Sequence, residues 1–352
     1  SNGKVNVTLY PGALPGPVEL KATLATNSTI TALSKDVAVA TGRATQKAMS
    51  VSLTKNTLAV GVDGDTTEVT VRLVDRVGNA VPDGTVVSFV SEGGKITPNC
   101  STVDGVCSAT FTTQNPRSDG RLSVIAYVEG DKSYIDSNGN NKFDIGEPLS
   151  HNIGSFYRDD NENGAHDLGE YVYIRPITGS ALACGTSSFG QPNLVTQILS
   201  VNPLSTVTHQ CDNQLEAILR YQFVLGLAGN VPVFVPPFTT LPPTTGEDLP
   251  NEYSFKMYGN GAKTVSMPAG TTISITAKDN TSGTNSATCT AEFTDGSLTV
   301  PDIVDLSNGT VSDNDVSYTF EYKNCLVGDE IRITTNAPSP AANTVTKIVK
   351  IQ

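Results

Sequence analysis

The residues best suited to chemistry are oxygen donors in a fixed order. Asp136-Ser-Asn138-Gly-Asn140-Asn-Lys142-Phe-Asp144-Ile-Gly-Glu147 puts side-chain oxygens at positions 1, 3, 5, 9 and 12 of a twelve-residue loop. Position 12 is Glu, the residue that binds calcium through both its oxygens in an EF-hand loop. The pattern returns 23 residues on, in Asp159-Asp-Asn161-Glu-Asn163-Gly-Ala165-His-Asp167-Leu-Gly-Glu170. Calcium takes about six to eight hard oxygens at about 2.3–2.6 Å, so a tight loop must wrap its donors round one point. The backbone carbonyls of Lys142 and Ala165 supply position 7. The expected ligands are Asp136, Asn138, Asn140, Lys142, Asp144 and Glu147, then Asp159, Asn161, Asn163, Ala165, Asp167 and Glu170, for about two Ca²⁺ ions. Magnesium fits less well, because carboxamides and carbonyls suit a larger, more flexible shell. The competing reading is a pair of Asx/Gly turns that bind nothing.

The flanks differ from those of an EF-hand. Pro148 follows Glu147 and blocks a helix, and Glu170 leads into Tyr-Val-Tyr-Ile, a strand pattern. These are EF-hand-like loops without helix pairs, which removes the usual calcium sensor, whose helices open. The second loop has its turn glycine at position 6, whereas the first has Asn141, which must turn left-handed.

Charge points to the same segment. The chain has 352 residues and a net charge of −12, which argues against a nucleic-acid backbone as partner. Residues 129–170 hold ten acids and three bases, a net of −7, and leave −5 for the rest. So many like charges repel unless cations bind, which makes metal a folding partner of the segment. No enzymatic motif competes with this. His151, His166 and His209 have no nucleophile motif around them, and Gly-x-Ser-x-Gly, HExxH and P-loop patterns are missing, so no enzyme is expected. Apolar runs of about five residues are too short for a membrane-crossing helix, which needs about 20. Tyr127, Tyr134, Phe156, Tyr157, Tyr171 and Tyr173 read as packing around the acidic segment rather than as a carbohydrate face.

The elements that must carry these loops are strands. Thr67 to Asp75 alternates polar and apolar residues, and Val51–Leu53, Leu58–Val60, Val86–Val90, Ala109–Phe111, Leu122–Val128 and Glu170–Ile174 add six short runs between Gly, Asn and Pro turns. About seven strands suit a β-sandwich. Pro82-Asp-Gly84-Thr85 recurs as Pro268-Ala-Gly270-Thr271, and Cys107-Ser-Ala109-Thr-Phe111 as Cys289-Thr-Ala291-Glu-Phe293, so a second copy is expected. Leu215 to Leu225 fits a strand or a helix, with a following turn favouring the strand. Residues 232–250, with six prolines, read as a polyproline-like loop or linker. The even number of cysteines, none in a CxxC pair, points to disulfides and export. Sequential pairing is the simplest scheme: Cys100–Cys107, Cys184–Cys211 and Cys289–Cys325. Ser1-Asn2 reads as a tag remnant, so the natural start is expected to be missing.

The stretch 47–130 resembles the bacterial Ig-like domains of the invasin/intimin type. The resembling residues are Val69-Thr-Val71, Asp75-Arg-Val-Gly78-Asn79-Ala-Val81-Pro82-Asp-Gly84-Thr85-Val86 and Gly120-Arg-Leu122-Ser-Val124-Ile-Ala126. Tyr10-Pro-Gly12-Ala-Leu14-Pro-Gly16-Pro-Val18 is similar to the closing part of a preceding copy. The resemblance implies stacked β-sandwiches displayed on a bacterial surface as adhesin stalk or tip, and carries no catalytic residues. The expected architecture is all-β: tandem Ig-like sandwiches with an irregular calcium-binding insertion. Residues 1–44 are expected to be a partial domain, 45–176 a complete one with the insertion at about 130–170, and 177–352 a C-terminal domain that could split near 250. The expected function is a non-catalytic, calcium-binding, secreted or cell-surface adhesive protein with an unknown surface partner, protein or glycan. The alternative is a ligand-binding accessory module, for polysaccharide or protein, of a larger secreted assembly.

Overall fold

A computed structural model describes residues 8, 16–34, 37–39, 42–117, 120–150, 152–164, 166–184, 211–244, 250–281, 287–294, 298–304 and 317–352. The N-terminal segment holds β1 (Gly16–Pro17), β2 (Lys21–Leu24), β3 (Asn27–Leu33) and β4 (Ala38–Val39). β1 pairs with β4, and β2 with β3. Every residue of the β2–β3 ribbon is exposed. Of the first fifteen residues of the partial domain expected over 1–44, Thr8 alone is among the described residues.

The central unit follows with β5 (Ala44–Thr45), β6 (Met49–Leu53), β7 (Thr57–Ala59), β8 (Thr66–Leu73), β9 (Val86–Ser91), β10 (Lys95–Ile96), β11 (Asn99–Ser101), β12 (Val106–Thr112) and β13 (Arg121–Asp131). Then come β14 (Phe156–Tyr157), β15 (Val172–Tyr173), β16 (Ala181–Leu182), β17 (Cys211–Asp212) and β18 (Glu216–Ala228). One sheet has the order β10-β12-β8-β6, and the other β11-β9-β13-β18-β7. Alternation explains the packing. In β8, Val69, Val71 and Leu73 are fully buried between polar neighbours, and they meet Val87, Leu122, Val124, Leu219 and Phe223 of the facing sheet in one core.

The C-terminal unit is a second sandwich of β19 (Val233–Val235), β20 (Thr240–Leu241), β21 (Asn251–Tyr258), β22 (Thr272–Lys278), β23 (Thr290–Phe293), β24 (Ser317–Lys323), β25 (Glu330–Ala337) and β26 (Asn343–Ile351). Its sheets are β19-β21-β24-β23 and β20-β26-β25-β22, round a core that includes Phe255, Phe320, Ile331 and Val349. The repeated motif is repeated in structure. Gly84 and Gly270 have φ of +85° and +83°. The hydroxyls of Thr85 and Thr271 donate to the carbonyls of Pro82 and Pro268 at 2.8 and 2.6 Å. Each turn then feeds a sandwich strand, β9 or β22.

Three expectations are corrected. The strand that completes the central sandwich is not 170–174, of which only Val172–Tyr173 forms a short pair with Phe156–Tyr157. It is β18, which pairs with β13 along its length from Arg121↔Gly226 to Asp131↔Glu216. The sheets therefore change near residue 228 and not at 176, and the insertion spans 132–215. β18 hid its place because it is buried on both faces, so it reads as a nearly continuous apolar run. The proline-rich stretch 232–250 is not a linker: it supplies β19 and β20, both edge strands, where a missing N–H costs no ladder bond. Ala44 and Thr45, placed at the seam of the first two domains, pair in parallel with β13 of the central sheet.

The two sandwiches meet through backbone groups and the side chains of Asp302, Asn56 and Thr57. Asp302 of the second accepts the N–H groups of Asn56 at 2.9 Å and Thr57 at 3.1 Å beside β7. Gly229 N–H donates to the Gly259 carbonyl at 2.7 Å.

Candidate metal loops

The two twelve-residue loops are the tips of two hairpins with the same construction, offset by 23 residues. The first is closed by the Tyr134↔Leu149 bridge and the second by Tyr157↔Val172. The N–H of Ile135 reaches the Pro148 carbonyl at 2.9 Å, and that of Arg158 reaches Tyr171 at 2.8 Å. The aromatic residue at each base packs edge-on against loop position 8: Tyr134 on Phe143 at 5.3 Å and Tyr157 on His166 at 5.4 Å. His166 is thus a packing residue, while His151 and His209 lie outside the described residues.

The donor groups are wired alike. Asp136 accepts the N–H of Asn140 at 3.2 Å and of Asn141 at 2.6 Å, and Asp159 accepts those of Asn163 at 3.1 Å and Gly164 at 2.8 Å. Glu147 takes the N–H of Ser137 on one oxygen (2.8 Å) and of Asp144 on the other (3.0 Å). Glu170 does the same with Asp160 and Asp167, both at 2.8 Å. At the centre, the amides of Asn138 and Asn140 donate to Asp144 at 2.8 and 2.7 Å, and those of Asn161 and Asn163 to Asp167 at 2.8 and 2.6 Å. These amide bonds hold Asp144 and Asp167 below the usual carboxylate range. Left-handed backbone falls at positions 4, 6 and 11 of both loops: Gly139, Asn141 and Gly146 at +75°, +58° and +112°, and Glu162, Gly164 and Gly169 at +57°, +76° and +109°. Asn141 therefore takes the left-handed turn its place required.

The loops thus bring Asp136, Asn138, Asn140, Asp144 and Glu147 together, and Asp159, Asn161, Asn163, Asp167 and Glu170 together. Lys142 continues the first, its N–H bonded to Asn140 at 2.8 Å, and Ala165 lies outside the described residues. The carboxylate oxygens are engaged by the loops' own N–H groups and amides. Among the described residues no three His, Cys, Asp or Glu side chains form a metal cluster. The donor chemistry nonetheless fits a hard cation, with three carboxylates and two carboxamides in each loop. Half a turn of the Asn138 and Asn140 amides, or of Asn161 and Asn163, would replace nitrogen by oxygen toward the central aspartate.

Residues that the sequence did not single out hold the loops. Asp212 is fully buried and clasps the double hairpin at its root. It accepts Lys132, just before the first hairpin, at 2.8 Å and Arg175, just after the second, at 2.8 Å. Those two cations hold Asp212 below the usual carboxylate range against the opposing effect of burial. The disulfide Cys184–Cys211 sits next to it, and Cys100–Cys107 and Cys289–Cys325 form in the two sandwiches, so the pairing is sequential. The second loop is also bolted to the sheet: Gln222 donates to the Asp159 carbonyl at 2.7 Å and accepts its N–H at 2.9 Å, Ser123 donates to the same carbonyl at 2.9 Å, and Arg121 pairs with Glu162 at 2.5 Å. The only hint in the sequence was the repeat of an aromatic residue two places before each loop. Phe156 and Tyr157 are buried, and Phe156 joins Ile125 and Ile218 in a small core over the sheet, with Tyr127, Tyr171 and Tyr173 at its rim.

Comparison with known proteins adds little. No family model matches the chain, and no curated protein matches it. Among solved structures, that of the Yersinia pseudotuberculosis adhesin InvE aligns at 12% identity, with a TM-score of 0.23. The alignment covers 88% of this chain and 61% of that adhesin, so the chain spans less than two thirds of its length. At that score nothing about the site is carried over, and its reading stands on its own geometry. Among the described residues no helix is long and apolar enough to cross a membrane, which says nothing of β-barrels.

Proposed function

We propose that this chain is a non-catalytic, calcium-binding part of a secreted or surface-displayed protein, in which stacked sandwiches present an adhesive face and two Ca²⁺ ions set the insertion. The observation that carries the calcium reading is the doubled loop: ten donor side chains with the same order, the same hydrogen bonds and the same three left-handed positions, 23 residues apart. A chance pair of polar turns has no reason to agree on all three. Three disulfides support an oxidising, extracytoplasmic setting.

The ions act on the insertion as ligands that bind the folded state. A loop saturated at about 100 times its dissociation constant gains about 2.7 kcal/mol. The second loop lies against Arg121, at the end of β13 and β18 from which the chain enters the second sandwich. Its ion therefore stiffens that junction, and the first ion sets the opposite pole, where Arg76 donates to the Asn141 carbonyl at 2.8 Å. Calorimetry on chelator-treated protein tests this directly. About two Ca²⁺ should bind and the melting temperature should rise; no heat and no shift would end the calcium reading.

A further inference from the structure

Among the described residues, the insertion covers the outer face of the β9–β13–β18 sheet over only part of its length. What stays open is a groove of about 560 Å³, within the roughly 300–1,000 Å³ of small-molecule sites. Alternation decides which side chains enter it. Ser88, Tyr127, Glu129 and Ile218 alternate with the core residues Val87, Val128 and Leu219, so they face outward, and they are neighbours across the sheet through Tyr127↔Ser88 and Glu129↔Ile218. Tyr173 closes one side from the second hairpin, and Thr85 and Arg43 stand at the rim.

We infer that this groove is a binding site for a short neutral oligosaccharide. Four features carry the assignment. The first is a rigid aromatic wall: Tyr173 stacks on the buried Phe156 with ring centres 5.1 Å apart and planes 2° apart, and Tyr127 leans on both at 5.4 and 5.6 Å. A ring fixed from behind presents its free face to the apolar side of a sugar with little entropy left to lose. Next, the hydroxyls of Ser88 and Tyr173 can donate and accept, and that of Thr85, whose proton goes to the Pro82 carbonyl, can accept, which suits a polyhydroxylated ligand. Charge is the third feature. Arg43, which also lines the groove, is paired with Asp131 at 2.8 Å and reaches the Gly130 carbonyl at 3.2 Å, so among the described lining residues the unpaired charge is the exposed carboxylate of Glu129. That group accepts sugar hydroxyls and repels uronates, sulfates and phosphates. Finally, a peptide strand has no ladder to join here, because β9 is paired on both sides, by β11 and β13.

None of the named groove residues is a loop ligand, but Phe156 and Tyr173 belong to the hairpin that carries the second loop, so the site is tested with and without the ion. Titration calorimetry on the whole chain, with and without Ca²⁺, should compare cellotetraose, maltotetraose and chitotetraose with tetragalacturonate and a lysine-rich peptide. At least one neutral tetrasaccharide should bind with a submillimolar Kd, and tetragalacturonate at least ten-fold more weakly. Glu129→Ala and Tyr173→Ala should each weaken binding ten-fold or more. Tyr173→Phe, which keeps the ring, should lose less than five-fold, and Glu252→Ala, exposed on the second sandwich, should change nothing. Tyr173→Ala could loosen the stack on Phe156, so the Glu129→Ala protein, whose melting temperature should match the parent, decides the case. The inference fails if no neutral oligosaccharide binds at millimolar concentration, if tetragalacturonate or the peptide binds more tightly, or if Glu129→Ala leaves affinity unchanged.

Discussion

The two loops of the insertion share one internal plan and differ in what lies beneath them. In the first, Asp136 stands among exposed neighbours, and among the described residues Arg76 ties its hairpin to the sandwich, by a bond to the Asn141 carbonyl and a stack on Tyr134. In the second, Asp159 is 6% exposed and both its backbone groups are bonded to Gln222 of β18. Burial pushes Asp159 and Glu170 up from the usual carboxylate range, whereas the central aspartates of both loops stay low because their amide partners are the same. A local motif sets a loop's shape, then, but its supports decide how much stability the loop shares with the domain.

The largest effect should come from removing what both loops share. Asp212→Ala leaves Lys132 and Arg175 buried without their partner and should cost about 3–5 kcal/mol in chemical denaturation. Protease sites should then open in both hairpins alike, which would erase the difference between them.

Next come the loops one at a time. With Ca²⁺ at about 100 times Kd, wild type should gain about 2.7 kcal/mol per coupled site. Asp159→Ala should lose the binding step that raises the melting temperature of the whole central sandwich. Asp136→Ala should lose one ion with a smaller thermal shift, because its hairpin can fray alone. Equal thermal shifts from the two variants would break the comparison.

The supports rank below the ligands. Gln222→Ala strands the N–H of Asp159, whose carbonyl keeps Ser123, and should cost about 1–2 kcal/mol by urea denaturation. Arg76→Ala removes one exposed bond and a stack on Tyr134, and should cost under about 1 kcal/mol.

The smallest effect is a pH dependence at the root of the first hairpin. Burial pushes Asp131 up to about 6 despite Arg43 beside it. An acid whose folded pKa is raised holds its proton longer when folded, so its contribution falls as pH rises from about 4 to 6. Asp131→Asn mimics the protonated form. Relative to wild type it should therefore be about 1 kcal/mol more favourable at pH 7.5 than at pH 4, after solvent screening, as read from urea curves at the two pH values.

Much of this protein was legible before its structure. The donor order of both loops, the left-handed turn at Asn141, the alternation of β8 and the Cys100–Cys107 pair all depend on residues close together in the chain, where spacing limits who can meet. The double Pro-x-Gly-Thr turn belongs with them. Other features escaped because their partners are distant. β18 pairs with β13 across as many as 105 residues, from Arg121 to Gly226, and no local pattern names its neighbour. Its two-sided burial even removed the alternation that marks a strand. The prolines near β19 and β20 mimicked a linker because the chain does not say which strand will be an edge. The clasp of Asp212 on Lys132 and Arg175, the seat of the second loop on Gln222 and the groove beside Tyr173 likewise arise only where separate segments converge. The sequence by itself thus determined the chemistry of the loops, because hydrogen bonds within twelve residues are set by order. Tertiary structure alone decided which loop is anchored and which is free, because burial is a property of what packs on top.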